Sequence, residues 1–378
     1  MSQAPAALLI PATPDREPAL VPLGSYPPDD VTFLLKDLGD LEIERGTEER
    51  EELIQTGTHY AEMLPVEYQP APAYVELFEQ ALARSARRLA VAVGVVTEQI
   101  LAEKRAPVLV SLARAGTPIG VLLRRWALRS GHDLPHYSVS IVRGRGIDQV
   151  AMRWLLRRYP AESLQFVDGW TGKGAITREL TEAVRPLGLD DRLAVLADPG
   201  GCAPIFGTRD DFLIPSACLN STVSGLVSRT VLRDDLIGPD DFHGAKYYRH
   251  LAADDRSRRY VDVVTAAFDD VAAEVAETWP QVATGDREPT WAGWRAVERV
   301  AAEYGIDEVN LVKPGVGETT RVLLRRVPDR ILVTPGREDD LEHVLMLAAD
   351  RGVPVELHAG LTYSCMGLIR PRTGPVGE

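Results

Sequence analysis

The chain has 378 residues, 45% hydrophobic and 26% charged, an ordinary globular composition long enough for two or three domains. Its 42 Lys and Arg stand against 55 Asp and Glu, a formal net charge of −13. That excludes polyanion binding over the whole surface and leaves room for a local basic patch. Three Cys are too few for a disulfide framework and fit a reducing cytoplasm. The longest apolar run, Leu89 to Val96, is 8 residues and falls short of the ~20 that span a bilayer, and no export signal is read at the start. A cytoplasmic protein with no membrane partner is expected.

Residues 1–30 hold 7 of the 27 Pro and read as a disordered arm. Residues 48–67 read as helical turns broken near Gly57 and stopped at Pro65, and a long helix is predicted from Ala73 to Lys104. The texture then becomes α/β. Apolar strands are predicted at Ala106–Ser111, Tyr137–Val142, Leu164–Asp168 and Leu193–Ala197, with helices at Thr117–Ser130, Asp148–Tyr159 and Ala175–Arg185 between them. Buried strands alternating with helices give an α/β fold with a mostly parallel sheet covered on both faces. A polar, Pro- and Gly-containing break at Ala283–Pro289 separates residues 31–284 from a smaller α/β domain at 285–378. In that domain helices are expected at Thr290–Tyr304 and Asp339–Asp350, a Gly-rich turn with a basic helix at Lys313–Arg326, and strands at Glu308–Val312, Ile331–Thr334 and Val353–His358. Residues 289–378 carry 11 Lys or Arg against 13 Asp or Glu, so the tail is the less acidic end.

Two strand-turn-helix crossings carry the strongest chemical signal. In the first, a strand through Ser111 runs into Arg114-Ala115-Gly116 just before a helix. Free amides at the helix start, with the arginine, make an electropositive cup suited to a diphosphate. In the second, Asp168-Gly169 ends a strand and leads through Thr171-Gly172-Lys173-Gly174 to a helix opening at Ala175. Ligands of open α/β sheets bind at that edge, and successive amides of such a turn wrap a phosphate. Ordinary tight turns are the plain alternative for both.

These residues resemble the type I phosphoribosyltransferases: Arg114–Gly116 is similar to their R-x-G pyrophosphate loop, and Asp168–Ala175 is similar to their phosphoribosyl-binding signature. More narrowly, Asp168–Ile176 resembles the divergent branch of bacterial tellurium-resistance stress clusters, also labelled StiP-type and in places cysteine protease. The resemblance covers about residues 31–280. It implies an α/β fold of the phosphoribosyltransferase kind and transfer from phosphoribosyl diphosphate with Mg²⁺, making or processing a nucleoside-like metabolite during stress. Its acceptor base is unknown, and this fold often dimerises. Arg114, with the amides of Ala115 and Gly116, would then hold pyrophosphate, and Asp168 the ribose hydroxyls. Thr171–Ala175 would hold the 5′-phosphate, and Arg143 and Arg145 would form a lid. One departure stands out: the second acidic residue of the signature is replaced by Gly169.

Two other chemistries are weighed. Cys202 lies in the Gly turn Asp198–Ala203 and is the candidate for a protease nucleophile, with His243 or His250 as base, whereas Cys218 sits in an apolar stretch. The seven His show no metal-ligand spacing, so no zinc site is expected. In the tail, Lys313, Gly315, Gly317, Thr319, Arg321 and Arg325 form a Gly-rich turn and basic helix face. That stretch resembles the Pelota-type RNA-binding domain, and a backbone contact to RNA is the expectation it raises. A non-catalytic nucleotide- or RNA-binding regulator, and an RNA-modifying enzyme whose tail presents RNA to the first domain, are the remaining readings.

Overall fold

A computed structural model describes residues 17–46, 49–50, 52–53 and 57–369, and within these the side chains of Arg325 and Asp339 are not described. Residues 1–16 of the Pro-rich arm, and residues 48, 51 and 54–56 of the turns expected before Gly57, lie outside the described residues.

Seven strands form the central sheet: β1 (Thr32–Leu34), β2 (Val108–Ala113), β3 (His136–Val142), β4 (Gly146–Ile147), β5 (Leu164–Trp170), β6 (Ala194–Ala197) and β7 (Ile205–Thr208). Their order is β1-β3-β2-β5-β6-β7, parallel throughout, with β4 folded back antiparallel on β3. Successive strand residues point to opposite faces. Leu109, Val167 and Leu196 therefore enter one apolar cluster, while Val110, Phe166 and Val195 enter the other.

On the first face lie α1 (Pro72–Glu103), α2 (Thr117–Arg129), α5 (Ser257–Ala266) and α6 (Phe268–Thr284); on the second lie α3 (Gln149–Leu156) and α4 (Ala175–Val184). Helix α1 buries Phe78, Leu82, Leu89, Val93, Val96 and Ile100, one stripe at helical spacing. Leu89 is completely buried, so Leu89→Ala costs about 2–5 kcal/mol. Asp148 starts α3 by accepting the amides of Val150 and Ala151 at 2.8 and 3.0 Å. The described part of the arm is packed: Leu23 and Tyr26 are buried, and Glu17 pairs with Arg157 and Arg158 at 3.1 and 2.8 Å.

The C-terminal unit contains α7 (Ala292–Glu303), β8 (Val312–Pro314), α8 (Val316–Arg325), β9 (Pro328–Val333), α9 (Glu342–Asp350), β10 (Val355–Leu357) and β11 (Cys365–Ile369). Its sheet order is β8-β11-β9-β10, with β11 antiparallel to both neighbours. The fold is thus mixed α/β with a mostly parallel central sheet and a small second α/β unit. The two units share a core, because Val316, Leu323, Val344 and Cys365 join the apolar cluster that holds α1. Among the described residues no helix is long and apolar enough to cross a membrane.

Candidate functional site

The carboxyl ends of β2, β3 and β5 and the α8 face of the C-terminal unit enclose a cleft of about 570 Å³. Arg114, Ala115 and Asp168 line it, together with Tyr60, Asn220 and Arg229 from earlier and later loops. Lys313, Glu318, Arg321 and Arg326 line it from the C-terminal unit. Asp168 is half-buried at the end of β5, where its Oδ1 accepts the amide of Gly169 at 2.8 Å. Burial pushes its carboxyl up to about 7, against that hydrogen bond and the charge of Arg321. Arg114 donates to the carbonyl of Val227 at 3.1 Å, and the Ala113–Arg114 peptide is cis. Gly116 lies so close to β5 that a Cβ would stand 2.4 Å from the carbonyl oxygen of Val167.

The other predicted phosphate-binding residues are already engaged. Ser111 is not in the cleft; its Oγ lies 2.7 Å from Nε2 of buried His136 beneath α2. Thr171 donates to Asp198 at 2.5 Å, and Gly172 accepts the hydroxyl of Tyr363 at 3.0 Å. Lys173 donates to the carbonyl of Val309 and to Asn310 at 3.0 and 3.1 Å, and burial, then Lys313, holds its ammonium down near 8. Gly174 has φ +81°, and a Cβ there would meet the Trp291 ring at 2.4 Å. The loop from Thr171 to Ala175, expected to stand open for a phosphate, is covered by the C-terminal unit. The hairpin with Arg143 and Arg145 is tied as well: Glu179 accepts the amides of Gly144 and Gly146 at 2.8 and 2.9 Å, and Arg145 pairs with Glu62 at 3.3 Å.

Cys202 follows β6 and is buried. Thr177, in the first turn of α4, donates to its Sγ at 3.7 Å, and the Cys202 amide donates to Asp198 at 3.0 Å. Asp198 is itself fully buried and paired with Arg209. Burial, then the Asp198 charge, pushes the Cys202 thiol up to about 12. Above it, Trp291 and Gly293 donate their amides to the carbonyls of Gly201 and Gly200 at 2.8 and 3.0 Å. Cys218 and Cys365 lie in the apolar core instead. The expected bases are placed elsewhere: Nδ1 of His243 is 2.9 Å from Ser140, and His250 meets the edge of Tyr248. Among the described residues no histidine hydrogen-bonds Cys202.

In the tail, the Gly-rich turn faces the first domain. The amide of Val316 donates to Asp211 at 3.0 Å, Gly317 packs on Trp170, and Thr319 is buried. Arg321 donates to the carbonyl of Ala217 at 3.0 Å and stacks over Trp170. The Arg325 side chain lies outside the described residues. Sequence reading missed Tyr60 as a cleft residue; only a fold could bring it beside Arg114 and Arg229.

The fold and site define a two-part α/β protein with a buried thiol at the sheet edge and a cationic cleft between the parts. The family described as tellurite-like stress resistance cysteine protease StiP matches residues 24–265, and the PELOTA RNA binding domain matches residues 291–371. The chain belongs to the StiP family. Cysteine protease StiP of Acinetobacter baylyi is 37% identical over 352 residues, covering 88% of this chain and 90% of that protein. These names overturn the phosphoribosyltransferase expectation and with it phosphoribosyl diphosphate as substrate. The physical reason lies in the loop: its Thr, Gly and Lys are engaged with Asp198, Tyr363 and Asn310. A Mg²⁺ ion fits poorly here, since Arg321 acts on Asp168 and shares the cleft with four other cations, and no three His, Cys, Asp or Glu converge among the described residues.

Proposed function

We propose that this chain is a cysteine protease of the StiP kind, acting in a reducing cytoplasm, and that Cys202 is its nucleophile. The observation that carries the reading is the position of this thiol. Alone among three cysteines it leaves the apolar core for the carboxyl edge of the sheet, against the first turn of α4. A helix N-terminus favours a thiolate once water reaches the site. In the conformation described, burial and Asp198 keep the thiol protonated, so it is a resting form. The test is hydrolysis of fluorescein-labelled casein by the full chain and by Cys202→Ser. Loss of hydrolysis in a variant with unchanged melting temperature supports the assignment; hydrolysis at the wild-type rate removes Cys202 from the chemistry.

A second reading rests on an independent observation, the match of residues 291–371 to an RNA-binding domain whose Lys313 and Arg326 line the cleft. We propose that this unit binds RNA through its cationic side chains. Lys313→Ala with Arg326→Ala should weaken retention of labelled RNA several-fold and flatten its salt dependence.

A further inference from the structure

The basic turn of the C-terminal unit faces inward, so an RNA backbone that reached it would also meet the first domain. Gly315 and Gly317 are buried against Asp211, Ala217 and Trp170 of that domain, Thr319 is buried within its own unit, and Arg321 is stacked on Trp170. What remains accessible on this face opens into the 570 Å³ cleft. Five cationic side chains line it: Arg114 and Arg229 from the first domain, and Lys313, Arg321 and Arg326 from the second. Two carboxyl groups, Asp168 and Glu318, share the lining. Among the described residues no carboxylate pairs within 4.0 Å with Arg114, Arg229, Lys313 or Arg326, although ion pairs are abundant elsewhere on the surface. Arg229 is exposed at its surface and lies over the Tyr60 ring at 5.2 Å; burial of part of the group, then the like charges of Arg114 and Arg50, disfavour its charged form, against Tyr60 and Glu67. Five cations gathered about two carboxyl groups leave an excess of positive charge that an anion would relieve.

Size narrows the anion. The volume lies within the ~300–1,000 Å³ of small-ligand pockets and cannot admit a duplex. It suits a single nucleotide turned out of a strand, with phosphates on either side and Tyr60 and the Arg229 plane as stacking surfaces.

We propose that the cleft between the two domains is a composite RNA-binding site. It seats one unpaired nucleotide, whose flanking phosphates bind Arg114 and Arg229 of the first domain as well as Lys313 and Arg326 of the second. The inference rests on the reading of the C-terminal unit as RNA-binding, and it adds the partner's state, single-stranded, and the first domain's share of the binding surface. It also accounts for the inward turn of the basic helix, which a site confined to the C-terminal unit does not.

The test is fluorescence anisotropy of the full chain with a fluorescein-labelled oligouridylate of about ten nucleotides and with a duplex of equal length. Both are titrated between about 50 and 200 mM salt. The single strand should bind more tightly than the duplex. Arg229→Ala should weaken it at least ~5-fold and reduce the slope of log K against log salt by ~0.7 for each phosphate no longer neutralised, while Arg229→Lys restores most of the slope. Arg229 is exposed, and among the described residues its guanidinium makes no hydrogen bond or ion pair; its carbonyl, which accepts the Ser228 hydroxyl at 2.6 Å, is kept in the alanine variant, so the melting temperature should not move. If Lys313→Ala with Arg326→Ala weakens binding but Arg229→Ala does not, the composite site is wrong and the C-terminal reading stands alone. If neither weakens binding, both fall. Duplex binding as tight as the single strand, and equally dependent on Arg229, overturns the unpaired nucleotide.

Discussion

Asp211 and Val316 are separated by 105 residues, yet Oδ1 of the first accepts the amide of the second at 3.0 Å, at the start of α8. Oδ2 accepts the amide of Ser364 at 2.8 Å, and the Asp211 carbonyl accepts the Ser364 hydroxyl at 2.9 Å. One carboxylate thus fixes the first turn of α8 and the lead into β11, and so joins the two domains. Burial pushes its carboxyl up to about 6. A folded value above the unfolded one, near 3.9, means that the native state binds more protons between the two. Its contribution to stability therefore falls as pH rises from about 4 to 6. Asp211→Asn keeps one acceptor oxygen and should flatten that window at a cost of about 1 kcal/mol, whereas Asp211→Ala strands two amides and should cost about 1–3 kcal/mol. Thermal unfolding at a series of pH values measures both, and an alanine variant as stable as the wild type would refute the stitch.

The Ser111–His136 pair titrates in the opposite sense. The Asp30 carbonyl, 2.7 Å from Nδ1, can only accept, so Nδ1 carries the proton and Nε2 accepts the Ser111 hydroxyl. Burial lowers this imidazole from 6.5 to about 4. A depressed folded value gives stability that is full above the unfolded pKa and is lost as pH falls from about 6.5 to 4. His343, held near 4 by burial and then Arg84, adds to the same flank. Replacing His136 by Gln should shallow the acid side of the stability curve, and His343→Gln should shallow it further. Ser111→Ala should cost about 1–3 kcal/mol at pH 7 by leaving Nε2 unsatisfied. An unchanged acid flank in the double variant would place the pH sensitivity elsewhere.

The central sheet was legible because its strands are short apolar runs ended by Gly turns, and period alone separates them from the helices between. The runs that end at Ser111 and Asp168 became β2 and β5, the latter two residues longer, to Trp170. Strands β1, β7 and β11 escaped. Cys365–Ile369 has a central Gly and no alternation, so only its pairing between β8 and β9 makes it a strand. Arg114 and Asp168 both line the cleft because they stand at or near the carboxyl ends of neighbouring strands, a position that local sequence carries. Ser111 was misplaced because an inward serine one pleat earlier looks the same in sequence; its partner His136 comes from the neighbouring strand. The transferase expectation failed on something no local pattern holds. Whether a Gly-rich turn is open or covered depends on Tyr363, Asn310 and Trp291, all more than 100 residues away.

That cover makes the last prediction. Tyr363 reaches Gly172 at 3.0 Å, and Arg178 of α4 lies over the rings of Trp291 and Trp294 at 4.8 and 4.1 Å. Together with the amides of Trp291 and Gly293 on the Gly200–Gly201 turn, these groups shield the Cys202 thiol. Loosening them should let water in and relieve the burial that is the largest cause of its raised pKa. Trp291→Ala with Tyr363→Phe should therefore speed alkylation of Cys202 by iodoacetamide about 10-fold or more, read by peptide mass spectrometry. Cys218 and Cys365, deep in the shared core, should stay slow and serve as internal controls for global unfolding. Casein hydrolysis should rise in parallel, since a thiol that forms thiolate more readily is the better nucleophile. If Cys202 remains as slow as Cys218 in that variant, the C-terminal unit is not what holds the thiol at rest.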